Sequence, residues 1–244
     1  MSALLTVNQG YTLLERANLG IQRWPKKSGS YMITLAQVSP SQIYSKTVEL
    51  DSLCKRHGLS FEYFSKDRLL VFRKMPSPVH ECVQAWLECE IRRMKDLGFV
   101  KDRHWYRRIT RNYSMEFVDF QGVHEGSRKA PDASIQTLGV TLPNFVVEVA
   151  FSETAEHARR KADFWLESSS ICQVVVLMII NETAPLIRGT NGVENIVPRG
   201  NLEDPEDDYW VGDLGISIEV IQRDENGYGT YTDQNIVYNP FILH

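Results

Sequence analysis

The chain has 244 residues, of which 43% are hydrophobic, 24% charged and 10% aromatic. This composition is typical of a soluble globular protein and excludes a wholly disordered, collagen-like or coiled-coil chain. The net charge of −4 excludes a polybasic binder, so any affinity for nucleic acid has to come from a local cluster of basic side chains.

Membrane and export signals are not apparent in the sequence. The longest apolar run, residues 174–180, is much shorter than the roughly 18 residues that a membrane-spanning helix needs. The first ten residues, MSALLTVNQG, lack the basic leader and apolar core of a secretory signal. We therefore expect an intracellular protein, cytoplasmic or nuclear, without a membrane partner.

The N-terminal quarter of the chain has an irregular pattern, and we expect residues 1–57 to form an N-terminal extension. Within it, Ser39 followed by Pro40 is typical of the start of a short helix. The main domain is expected over residues 58–244. It opens with two β-prone runs at 61–64 and 68–73, a spacing that predicts a hairpin.

The core of the main domain is predicted over residues 78–180. Ser77 and Pro78 are typical of a helix start, and helical periodicity continues to Gly98. Three β-type runs follow, at 115–120, 132–136 and 145–151. A helix at 153–167 and an apolar strand at 171–180 complete the order α-β-β-β-α-β. The sequence therefore predicts an α/β fold with a mixed central sheet flanked by helices.

Two carboxylates occupy unusual places in this pattern. Asp132 follows Pro131 at the start of a short strand, and Glu148 lies inside the apolar strand FVVEVA. Burial of an unpaired charge costs several kcal/mol, so Glu148 must be paired, protonated or bound to a metal. Because strand side chains alternate, Glu148 shares a face with Val146 and Ala150.

A lysine of the following helix can reach that face. Ala158, Lys161, Ala162 and Trp165 fall at helical spacing, so Lys161 flanks the stripe that packs on the sheet. Two carboxylates and a lysine could hold a hard divalent cation, orient a water and neutralise developing phosphate charge. The alternative is a structural domain in which Glu148 and Lys161 are merely an ion pair and Asp132 opens a turn.

These residues resemble the PD-(D/E)xK nuclease superfamily, and more narrowly the Uma-type restriction endonuclease family. The similar stretches cover about residues 60–190 and are MPSPVHE at 75–81, Pro131-Asp132, EVAFSET at 148–154, and Lys161. The resemblance implies a restriction endonuclease-like fold and a nuclease that uses Mg or Mn. Asp132, Glu148 and Lys161 would be catalytic, and the two acids would bind the metal. It also implies nucleic acid as partner, with DNA favoured over RNA, and a homodimer.

One position departs from the superfamily pattern. The lysine expected two residues after the acid is replaced by Ala150, which can neither stabilise charge nor position a nucleophile. The resemblance implies that Lys161 has taken over this role from the helix. The alternative is a catalytically inactive module that keeps the fold and only binds nucleic acid or protein.

Further candidates lie outside this trio. His80 and Glu81 open the first core helix and could be accessory site residues, as in relatives. Arginine pairs with phosphate oxygens, so basic side chains near the predicted acids are candidates for contacting nucleic acid. These are Arg103, Arg107, Arg108, Arg111, Arg128 and Lys129.

Overall fold

The computed structural model of the chain describes residues 3–4, 11–23, 32–74, 78–99, 109–112, 115–151, 155–182, 186–188, 194–196, 214–225 and 228–238. Within these ranges four α-helices accompany mixed β-sheet, which confirms the predicted α/β class. The helices are α1 (Leu13–Gln22), α2 (Pro40–His57), α3 (Pro78–Asp96) and α4 (Ala155–Glu167). The strands are β1 (Ala3–Leu4), β2 (Met32–Leu35), β3 (Leu59–Phe64), β4 (Leu69–Lys74), β5 (Ile109–Asn112), β6 (Ala133–Thr137), β7 (Phe145–Phe151), β8 (Val174–Glu182), β9 (Leu186–Arg188), β10 (Glu194–Ile196), β11 (Leu214–Arg223) and β12 (Gly229–Tyr238).

The N-terminal unit is a four-stranded sheet in the order β1-β2-β4-β3, with α1 and α2 on one face. Its core includes Leu35, Leu50 and Phe72, all fully buried. The predicted helix start at Ser39 is confirmed, because its side chain caps the backbone N–H of Gln42 in a capping box, but the helix runs for 18 residues. The described part of residues 1–57 thus shares one sheet with the hairpin 59–74.

The second unit is a six-stranded sheet in the order β12-β11-β8-β7-β6-β5. Strands β5, β6 and β7 are antiparallel neighbours, whereas β7 and β8 are parallel and connected by α4. On one face α3 packs against Val147 and Val149; on the other, α4 packs against Val146 and Ala150. The predicted order α-β-β-β-α-β over residues 78–180 is present, with the first strand displaced.

That first strand is where the prediction from sequence was wrong. On the side away from β7, β6 pairs with β5, which contains Arg111 and follows Arg103, Arg107 and Arg108, and not with the run 115–120. In that run, Phe117 forms only an isolated bridge to Lys129. The Phe117 and Phe120 rings pack on Trp165 of α4 instead, at centroid distances of 6.0 and 5.5 Å. These two hydrophobic residues therefore belong to the core between α4 and the sheet, and the run does not pair as a strand.

The edge strand β3 of the N-terminal sheet, together with the sheet face opposite α1 and α2, contacts the second unit. Tyr63 forms an antiparallel bridge with Arg128, and the ring of Phe64 packs edge-on against Phe164 at 5.2 Å. The hydroxyls of Ser65 and Ser127 are hydrogen-bonded at 2.8 Å. The junction therefore combines main-chain, aromatic and polar contacts.

Candidate functional site

The two predicted acids lie close together, Asp132 directly before β6 and Glu148 within the neighbouring strand β7. Ala133 pairs with Val147 in the antiparallel ladder of β6 and β7, so continuation of this register by one residue sets Asp132 opposite Glu148. Residues that face each other across antiparallel strands project to the same side of the sheet. The Asp132 Oδ2 atom accepts a 2.7 Å hydrogen bond from the Val149 backbone N–H, which fixes this carboxylate at the edge of β7.

Glu148 is enclosed between the sheet and α4, with only 1% of its surface exposed. One of its oxygens, Oε1, accepts a 2.6 Å hydrogen bond from the indole N–H of Trp165 and lies 3.0 Å from the Lys129 ammonium. The other oxygen, Oε2, is buried and has no hydrogen-bond partner among the described residues. A buried carboxylate oxygen without a donor marks a place where an ion or water can bind.

Lys161 approaches the same carboxylate from α4. It is 4% exposed and lies on the buried stripe formed by Ala158, Ala162 and Trp165, as the helical spacing predicts. Its positive charge is one of those that lower the pKa of Glu148. The structure thus brings Asp132, Glu148 and Lys161 into one region beneath α4.

Sequence reasoning missed the largest part of the charge cluster. The Lys129 ammonium contacts Glu148 and also lies 3.3 Å from Oε1 of Glu62, a residue of β3 that is itself paired with Arg73. Glu62 lies among the aromatic residues of the β-prone run 61–64, FEYF, and is itself buried, so a charged residue inside this run was a sequence signal for a buried ion pair. Its partner is 67 positions away, beyond the reach of local patterns.

This burial corrects the expectation for Lys129. The sequence places it among residues that contact nucleic acid, yet its side chain is fully buried, with the rings of Phe64 and Trp165 5.7 Å from its ammonium. A lysine in this position cannot reach a phosphate. Its charge is used inside the protein, against two carboxylates.

Electrostatics keep the Glu148 carboxylate ionised. Burial alone would raise its pKa, but the charges of Lys129, Lys161 and Arg73 and the Trp165 hydrogen bond together lower it to about 2. Burial has the opposite consequence for the cation, since desolvation lowers the pKa of Lys129 to about 8 despite the attraction of Glu148. At neutral pH the pair is therefore charged.

The predicted basic contacts are divided by the structure. Arg103, Arg107 and Arg108 lie outside the described residues. Arg111 on the edge strand β5 is paired with Glu88 at 2.5 Å, and Arg128 binds Glu116 through two hydrogen bonds of 2.9 and 2.5 Å. A cavity of about 230 Å³ near Arg111 is lined by α3 residues, so it lies on the sheet face opposite Glu148.

The accessory candidates His80 and Glu81 belong to α3, but their side chains lie outside the described part of the structure. Among the side chains that are described, no group of three or more His, Cys, Asp or Glu is arranged to hold a metal ion. Among the described side chains, Asp132 and Glu148 are the candidates to supply oxygen ligands at this site.

No protein-family model and no curated protein matches this chain. Within the described ranges, none of the helices is both long and apolar enough to cross a bilayer. The function is consequently inferred from the geometry around Glu148.

Proposed function

We propose that this protein is a metal-dependent nuclease with a restriction endonuclease-like fold, which hydrolyses phosphodiester bonds in nucleic acid, with DNA the favoured substrate. The observation that carries the proposal is the buried, ionised Glu148, which faces Asp132 across β6 and β7 and retains one oxygen without a donor among the described residues. The α-β-β-β-α-β order around these acids supports it.

The residues present fit a hard cation. Mg²⁺ is commonly bound through one or two carboxylates, with water and substrate phosphate as the remaining ligands. Oε2 of Glu148 and the carboxylate of Asp132 supply oxygen donors of this kind, and two acids are sufficient. Bound there, Mg²⁺ or Mn²⁺ would stabilise charge on the phosphoryl oxygens and acidify a water molecule.

The chain's own side chains would divide the remaining work. Asp132 and Glu148 hold the cation in place, with Asp132 oriented by the Val149 N–H and Glu148 by the Trp165 N–H. Lys161 contributes positive charge near Glu148 where negative charge develops on the phosphate. This assigns to the helix the charge that Ala150 cannot provide from the strand.

Substrate contact falls to the arginines outside the buried cluster. Arg128 binds a glutamate that a phosphate could replace, because guanidinium binds both groups through paired hydrogen bonds. Arg111 is paired with Glu88 on the opposite face of the sheet, so it would contact substrate that extends past the sheet edge at β5. We include Arg103, Arg107 and Arg108 in this surface on sequence grounds. Association of two copies, so that two sites cut two strands, is part of the same proposal.

A second candidate function is supported by one specific contact. Lys129 already neutralises Glu148 at 3.0 Å, and Ala150 occupies the usual lysine position. Both features suit an inactive nuclease fold that binds nucleic acid or protein without cutting. Such a module would show binding that weakens with added salt and no cleavage with any divalent metal.

A cleavage assay distinguishes the active nuclease from the inactive module. Labelled single- and double-stranded DNA and RNA are incubated with the full chain in Mg²⁺, Mn²⁺ or EDTA. We expect cleavage that requires metal and falls about a hundredfold or more in Asp132→Asn and in Lys161→Met, because each removes charge acting on the transition state. Asp96→Asn at the end of α3 and Lys55→Met in α2, which change exposed residues of helices outside the Glu148 cluster, are matched controls expected to cut normally.

Several outcomes would contradict the proposal. Cleavage that persists in EDTA or in Asp132→Asn would show that the activity arises elsewhere. Salt-sensitive binding without cleavage would establish the inactive module, and a chain that neither cuts nor binds would leave Glu148 and Lys161 as structural charges.

A further inference from the structure

Four charged side chains form a continuous cluster across the junction of the two units. Arg73 and Glu62 come from the N-terminal sheet, whereas Lys129 and Glu148 come from the second unit. The Lys129 ammonium stands between the two carboxylates, at 3.3 Å from Glu62 and 3.0 Å from Glu148. The candidate site is therefore connected to the N-terminal sheet through Glu62 and Arg73.

The position of Lys129 is set by its backbone as well as by its charge. Its N–H and C=O exchange hydrogen bonds with Phe117 at 3.1 and 2.9 Å. Arg128, directly before it, makes the equivalent exchange with Tyr63 of the N-terminal sheet, at 2.9 and 2.8 Å. These bonds hold the backbone of residues 128 and 129 in place between Phe117 and Tyr63.

The decisive detail is which oxygen of Glu148 is used. Lys129 and the indole of Trp165 both contact Oε1, one from the junction and the other from α4. Two donors on one oxygen restrict rotation of the carboxylate, and the second oxygen, Oε2, stays without a donor among the described residues. The arrangement presents one chosen oxygen to a ligand.

We infer that Lys129 is a positioning residue: with Trp165 it holds Oε1 of Glu148 so that Oε2 faces the ligand, and Glu62 holds Lys129 in turn. The inference rests on the proposed function for its consequence in catalysis, but not for the positioning itself. It assigns the N-terminal unit a part in the site. Lys129 is not a catalytic residue, because its ammonium is engaged by Glu62 and by Oε1 of Glu148.

The orientation of Glu148 can be followed without any activity. The Trp165 indole N–H reports it directly, since a 2.6 Å bond to a carboxylate shifts an indole proton downfield and slows its exchange with water. Trp165 is one of five tryptophans, and its resonance is identified as the one lost in Trp165→Phe. In Lys129→Met, we expect this resonance to move upfield and to exchange faster.

A second variant tests whether the change at Trp165 comes only from an unbalanced buried charge that disturbs the fold. Lys129→Met leaves Glu62 and Glu148 with one cation fewer, whereas Glu62→Gln/Lys129→Met removes one charge of each sign and keeps the cluster of four balanced. The double variant is expected to show the same change at Trp165. Lys66→Met is the matched control, because Lys66 also forms an ion pair across the junction, with Glu167 at 2.6 Å, but does not contact the cluster.

Kinetics add a readout that a merely structural residue would not give. Relative to the wild-type chain, Lys129→Met and the double variant should lose about ten- to a hundredfold in kcat for cleavage with Mg²⁺ or Mn²⁺, while KM for nucleic acid is unchanged. A misplaced carboxylate changes the geometry of the reacting groups and not the surface that binds nucleic acid. Lys66→Met should keep both constants.

The outcomes separate the two proposals. An unchanged Trp165 resonance in the folded double variant would overturn the positioning role. A Trp165 change together with loss of kcat supports both proposals. If the Trp165 resonance changes in the variants but the wild-type chain never cleaves nucleic acid, the positioning role is supported and the nuclease is refuted.

Discussion

Glu148 shows how a carboxylate can reside in an apolar strand. Its charge is balanced by Lys129 on one side and by Lys161 on α4, while the Trp165 indole donates a hydrogen bond. The sequence predicts that this glutamate needs a partner and suggests Lys161. It does not indicate Lys129, because Lys129 directly follows Arg128 in a charged turn-like segment and its partners come from strands that are distant in sequence.

The ionised state of Glu148 predicts how stability depends on pH. Its pKa is about 2 in the folded chain and 4.5 for the unperturbed group, so its contribution to stability is complete above about pH 4.5 and is lost as the pH falls toward 2. The free energy of unfolding in urea should therefore decrease over this interval. In Glu148→Gln it should be lower at pH 6 and depend less on pH.

The matched variant for this measurement is Glu125→Gln, which changes an exposed glutamate. It should reproduce the wild-type pH dependence. Equal slopes between pH 2 and 4.5 for wild type and Glu148→Gln would show that folding does not lower the pKa of Glu148.

At the scale of elements, the sheet is packed so closely on α4 that one strand position excludes a side chain. A Cβ added at Gly229 of β12 would lie 2.8 Å from Cδ1 of Leu166 and 2.9 Å from Cγ2 of Ile221. Both neighbours are buried, and the branched Ile221 has little rotational freedom. Glycine is required here by space and not by backbone conformation.

We therefore predict that Gly229→Ala lowers the free energy of unfolding by about 1–3 kcal/mol, the usual cost of overpacking a core. The measurement is urea denaturation monitored by circular dichroism. Thr230→Ala, at the exposed next position of the same strand, should change stability by less than about 0.5 kcal/mol. A neutral Gly229→Ala would mean that β12 moves away from α4 at little cost.

Elements with strong local signals were predictable. Ser39 with Pro40 marks a helix start, and the periodicity after Pro78 marks α3, because capping and amphipathic spacing are local properties. The prediction of a strand at 115–120 was wrong, because Phe117 and Phe120 pack on Trp165. A β-prone composition does not distinguish residues that pack on a helix from residues that pair in a sheet. Strand β5 was hidden by its polar residues.

At the scale of the whole molecule, several contacts couple the four-stranded sheet to the six-stranded sheet. The Tyr63–Arg128 bridge, the Ser65–Ser127 hydrogen bond and the buried Glu62–Lys129 ion pair all cross the junction. Separation of the two units would expose or leave unpaired several buried polar groups, each of which is costly.

We predict one cooperative unfolding transition, with circular dichroism and tryptophan fluorescence giving coincident urea midpoints. Two separated transitions would show that the units fold independently.

The sequence could anticipate the second unit at this scale but not its dependence on the first. Asp132, Glu148 and Lys161 fall within a single α-β-β-β-α-β stretch, so alternation and helical spacing were enough to group them. The irregular pattern of residues 1–57 gave no indication that the described part builds a sheet with β3 and β4. Pairings between distant strands depend on the completed fold.

The adjacent residues Arg128 and Lys129 bind different neighbours, the first Tyr63 and the second Phe117. In a chimaera of this protein with another, these two residues limit which segments can be exchanged. A chimaera that replaces the N-terminal sheet would leave Lys129 facing a surface without the acid it needs, unless Glu62 and Arg73 are grafted with it. The boundary for a modular swap is therefore a set of side chains and not a position in the chain.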